Sequence, residues 1–73
     1  MNTMAVFNSR SDALRLKSGM DKLKIATAII NTPRNQNLSC GLSVVLDEHY
    51  KSKAEHIVIA LGLTSFRGFF DKN

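Results

Sequence analysis

Two helix-start signals of one kind, Ser9 with Asp12 and Ser52 with Glu55, divide this chain, and each is flanked by short apolar runs. In such a pattern the serine hydroxyl accepts from a backbone amide of the first turn, and the acid suits the helix start. After Ser9, the residues Ala13, Leu16, Met20 and Leu23 follow at helical spacing. After Ser52, Ala54, Ile57, Val58 and Leu61 trace one apolar face and Gly62 supplies a left-handed C-terminal cap. Gly19 interrupts the first helix at a cost of about 1 kcal/mol relative to Ala, which points to close packing or a weak spot there.

The flanking segments read as strands. Met4 to Asn8 is a short apolar run that stops at polar residues. Ile25 to Thr32 is rich in Ile and Thr and ends at Pro33, which restricts Thr32 to extended backbone. Asn35-Gln36-Asn37 forms a polar loop, and Leu42, Val44 and Leu46 then alternate with Ser43, Val45 and Asp47 as in a half-buried strand. Near the C-terminus Phe66, Gly68 and Phe70 alternate with Arg67 and Phe69, so Phe66 and Phe70 are expected in the core and Phe69 outside it.

The order β-α-β-β-α-β predicts an α+β class, ferredoxin-like βαββαβ two-layer sandwich: a four-stranded antiparallel sheet in spatial order 4-1-3-2 with two helices on one face. That topology gathers three segments at one end of the sheet: Asn8-Ser9-Arg10, Thr32-Pro33-Arg34 and Ser39-Cys40-Gly41. Cys40 shares strand parity with Leu42 and Val44, which directs it to the helix-covered face.

At 73 residues the chain makes one domain, 1–73, and buries only roughly 60% of its unfolded surface. Cys40 is its only cysteine, so no internal disulfide staples the fold, and a reduced, cytoplasmic setting is expected. Met1-Asn2-Thr3-Met4 carries no charged leader pattern, and no apolar run reaches the length of a membrane span. The net charge is +4, with Arg10, Arg15, Lys17, Lys22 and Lys24 in one segment. Asp12 and Asp21 interrupt that segment, so it reads as a solvated helix face rather than a nucleic-acid site.

A thiol beside a helix N-terminus and an arginine is favoured as thiolate, the reactive form. Arg34 or Arg10 would hold an anion there, Ser9 belongs to the same candidate anion-binding set, and Gly41 leaves room for approach. Against this, a free cysteine commonly packs as a small hydrophobe, so the residues alone leave a reactive and a structural Cys40 both open. His49 and His56 read as surface or structural histidines, and no metal-ligand spacing surrounds Cys40. Neither a Gly-rich phosphate loop nor a Ser-His-acid set or Cys-x-x-Cys pair is present, so hydrolase and dinucleotide-enzyme readings are weak and no cofactor is expected.

Taken together, Phe7-x-Ser9, Asp12-Ala13-Leu14, Thr32-Pro33-Arg34 and Ser39-Cys40-Gly41-Leu42 resemble the small bacterial family labelled putative Se/S carrier-like. The resemblance covers nearly the whole chain, and its most specific part is Pro33-Arg34 followed by Cys40-Gly41. It implies a carrier or accessory protein rather than an enzyme, with Cys40 holding sulfur or selenium as persulfide or perselenide in a sulfur relay and Arg34 steering the anion. The expected partners are sulfur or selenium donor and acceptor proteins, with a homodimer as one arrangement and no membrane. Leu16 and Lys17 stand where the family often has a glutamate, which makes this helix more basic. The alternative reading is a regulatory or protein-interaction module in which Cys40 is structural.

Overall fold

The computed structural model describes residues 1–32 and 41–72. Strand β1 (Thr3–Phe7) leads into helix α1 (Arg10–Lys22), then β2 (Ala28–Asn31), β3 (Leu42–Leu46), helix α2 (Lys51–Leu61) and β4 (Phe66–Asp71). The sheet order is β2-β3-β1-β4 with every pairing antiparallel, which is the expected 4-1-3-2 arrangement of the ferredoxin-like fold.

The apolar periodicities explain the layering. Ala5 and Phe7 of β1 and Val44 and Leu46 of β3 face Ala13, Leu16 and Met20 of α1 and Ala54 and Val58 of α2, all buried in one cluster. The other face of the two central strands is apolar as well: Met4, Val6 and Val45 are buried together, with Ala28, Ile30 and Phe70 against them. The half-buried alternation expected of β3 therefore understates it, since Ser43 and Val45 are as buried as Val44 and Leu46.

Both helices end in the same device. The amide of Ile25 donates to the carbonyl of Met20 at 3.0 Å, and that of Leu63 to Val58 at 3.0 Å, each closing a Schellman turn whose last residue is buried. The left-handed position is Gly62 (φ 64°) in α2, as expected, but Lys24 (φ 60°) in α1. This turn consumes Ile25, where the sequence pattern predicts a strand; β2 starts only at Ala28.

Two further expectations need correction. The Ser52–Glu55 pattern is not the start of α2: Asp47 caps a 3-10 turn, Glu48–Tyr50, by accepting from the His49 amide at 2.9 Å, and the chain runs on into α2 from Lys51. In β4, Phe69 rather than Phe70 joins Phe66 on the helix-covered side. Phe7 pairs with Phe66 but Val6 pairs with Gly68, so Arg67 is an extra residue that shifts the alternation, and Gly68 takes φ 120° at this bulge.

Candidate functional site at the start of the first helix

β1 ends at Phe7, and Ser9 leaves it in extended conformation (φ −106°, ψ 126°) as the N-cap of α1. Its carbonyl accepts from Ala13 at 3.2 Å and its hydroxyl from the Asp12 amide at 3.4 Å, so Ser9 caps the helix as the sequence implied. Arg10 is the exposed first residue of the helix.

A second set of bonds fixes this turn from the far end of the chain. The Asn8 amide donates to the Ser65 carbonyl at 3.1 Å, and the Ser9 amide to the Ser65 hydroxyl at 3.2 Å. Asp12 completes the knot by accepting from the Ser65 amide at 3.2 Å and from its hydroxyl at 2.7 Å. The Asp12 carboxylate therefore serves two ends: it complements the helix dipole and ties α1 to the turn before β4. Sequence reasoning found Asp12 only as a cap partner and missed Ser65, because nothing local marks a pairing of residues 53 positions apart.

Gly41 is buried on the other side of the same turn. A Cβ built there would overlap the Phe7 carbonyl oxygen and come within 3.4 Å of the Asn8 Cα, so the space that glycine leaves is filled by the chain's own backbone. The Gly41 carbonyl accepts from the Thr32 amide at 3.1 Å, and the Thr32 and Ser43 hydroxyls share a hydrogen bond at 2.8 Å. Thr32, Gly41 and the Asn8-Ser9-Arg10 turn thus meet at one end of the sheet.

Arg34 and Cys40 lie outside the described residues, as do Pro33, Ser39 and the loop Asn35-Gln36-Asn37. His49 and His56 stand apart from this end: the His49 ring meets Tyr50 edge-on with centroids 5.3 Å apart, and His56 is exposed on α2. Among the described residues, no group of three or more His, Cys, Asp or Glu side chains is placed to hold a metal ion.

A family model described as putative Se/S carrier protein-like matches residues 2–64. The chain belongs to this family. The match takes in this Se/S-carrier-like protein from β1 through α2, including Ser9, Arg10, Arg34, Cys40 and Gly41, and stops short of β4. No curated protein and no solved structure gives a significant match to it. No helix among the described residues is long and apolar enough to cross a membrane.

Proposed function

We propose that this protein carries sulfur or selenium on Cys40, as a persulfide or perselenide, and delivers it to a partner protein. The observation that carries the reading is membership of the Se/S-carrier-like family, matched across the segment that contains the only cysteine. Its support is the fixed setting of Gly41, the residue bonded to Cys40: buried, hydrogen-bonded to Thr32, and packed on the turn that starts α1. The positive end of the α1 dipole and the Arg10 cation favour a bound anion, and in this reading Arg34 would add a second cation.

The sulfur transfer balances without an added oxidant or reductant. The Cys40 thiolate attacks the outer sulfur of a donor persulfide; a bond to Cys40 forms as the donor's S–S bond breaks and the donor thiolate departs. An acceptor thiolate then takes the outer sulfur and Cys40 leaves as thiolate. With one cysteine in the chain, that acceptor belongs to another molecule.

Incubation with a cysteine desulfurase and cysteine tests this. Intact-mass analysis is expected to show the mass of one added sulfur atom, removed by a thiol reductant and absent from Cys40→Ser. No adduct beside a competent control acceptor would overturn the proposal.

A further inference from the structure

On the solvent side of the two helices, α1 and α2 enclose an open groove of about 490 Å³. Gly19 and Ile57 form its floor, where a Cβ on Gly19 would stand only 3.1 Å from the Ile57 Cγ2. Leu23 and Leu61 flank it while 50% and 42% exposed, so the groove has apolar walls that are open to solvent. The rim carries Arg15 and Lys22, and no acidic residue lines the groove. Among the described residues neither cation has an ion-pair partner, whereas their neighbour Lys17 is bound to Asp21 at 3.1 Å.

We infer that this groove docks an acidic amphipathic helix of a partner protein. Apolar side chains of the partner would cover Leu23, Ile57 and Leu61 over the glycine floor, the way a helix lies in a hydrophobic groove. Arg15 and Lys22 are seven residues apart and lie on one face, about 10 Å apart along the axis. Carboxylates two turns apart on the partner helix match that separation. An apolar floor between only two cations suits such a helix better than a phosphate backbone, which offers no apolar surface and repays a continuous run of cations. None of the residues that line this groove is one that the chalcogen-transfer proposal uses, so the inference stands or falls independently of it.

The test is a titration of the isotope-labelled protein, followed by amide NMR, with a synthetic amphipathic helix bearing a leucine stripe flanked by glutamates. A second peptide has lysine for each glutamate. The glutamate peptide is expected to shift the amides of Gly19, Leu23, Ile57 and Leu61, with the lysine peptide at least about tenfold weaker. Arg15→Glu combined with Lys22→Glu should reverse that preference, and Leu61→Ser should weaken the glutamate peptide while circular dichroism stays unchanged. Equal binding of the two peptides, shifts centred elsewhere, or no binding would overturn the inference. So would a dimer in sedimentation that Leu61→Glu dissolves, or displacement of the same amides by duplex DNA or phosphatidylglycerol vesicles.

Discussion

The carboxylate of Asp12 takes two hydrogen bonds from a single residue, Ser65, one from its amide and one from its hydroxyl. Together with the amides of Asn8 and Ser9, which bond back to Ser65, this holds the start of α1 against the turn leading into β4. Charge-assisted bonds at partly buried positions contribute more than neutral surface ones. Asp12→Ala should destabilise the fold by about 2 kcal/mol and Asp12→Asn by less, read from urea midpoints. Equal midpoints for wild type and Asp12→Ala would mean the knot is replaced by solvent at no cost.

Gly41 allows no side chain on the side that faces Phe7. The obstacle is a backbone carbonyl in a central strand, which cannot swing aside as a side-chain tip can. Gly41→Ala should cost about 1–3 kcal/mol. Gly62→Ala offers a comparison: nothing lies near its Cβ position, so only the left-handed backbone opposes it, and about 1 kcal/mol is expected. Thermal unfolding of the two variants side by side gives the order.

Lys24 holds a left-handed conformation at the end of α1, where a glycine would sit without strain. Lys24→Gly is therefore expected to stabilise the protein by up to about 1 kcal/mol, an increase visible in the urea midpoint with an unchanged slope. Loss of stability instead would show that the lysine's charge at the helix C-terminus outweighs its backbone strain.

The bulge in β4 predicts an order that simple alternation reverses. Phe69 stacks edge-on with Phe66 at 5.1 Å, lies beneath the Lys51 ammonium at 5.5 Å and packs, partly buried, against the main core, whereas Phe70 packs against the smaller cluster on the opposite face. Phe69→Ala should cost about 2–3 kcal/mol and exceed Phe70→Ala by roughly 1 kcal/mol. Calorimetric melting of both variants measures the difference.

Carrier chemistry needs Cys40 as thiolate at neutral pH. Alkylation of the folded protein should then rise with pH through a midpoint below about 8.5, the value of a free thiol. Protection of the thiol until unfolding would make Cys40 a packing residue and withdraw the carrier reading.

How far the sequence foretold this molecule depends on whether each signal was local. The Ser9 cap, the Gly62 turn and the strand order follow from patterns a few residues long, and they stand in the structure as expected. The start of α2 was misread because Asp47 had already turned the chain helical, leaving Ser52 and Glu55 one turn too late to cap anything. Phe69 was misread because a single extra residue, Arg67, inverts every later position of the strand. Near the start of α1, Thr32 is bonded to Gly41 and Gly41 packs on Phe7 and Asn8, a meeting of segments that follows from the strand order, while Ser65 depended on a partner far away in sequence. The groove is not legible in the sequence, where Arg15 and Lys22 fall within a solvated basic face, and only the packing of α2 against α1 sets Leu61 beside them.

Gly19 belongs at once to the contact of α1 with Ile57 of α2 and to the bottom of the groove between the helices. Adding a methyl there would press on the Ile57 side chain, which must give by a few tenths of an ångström, so the depth of the groove is coupled to the packing of the helix pair. The rim is under no such restraint, since Arg15, Lys22 and Leu61 are all exposed. A new specificity can thus be written into this surface by exchanging side chains at its edges, with the scaffold beneath left untouched.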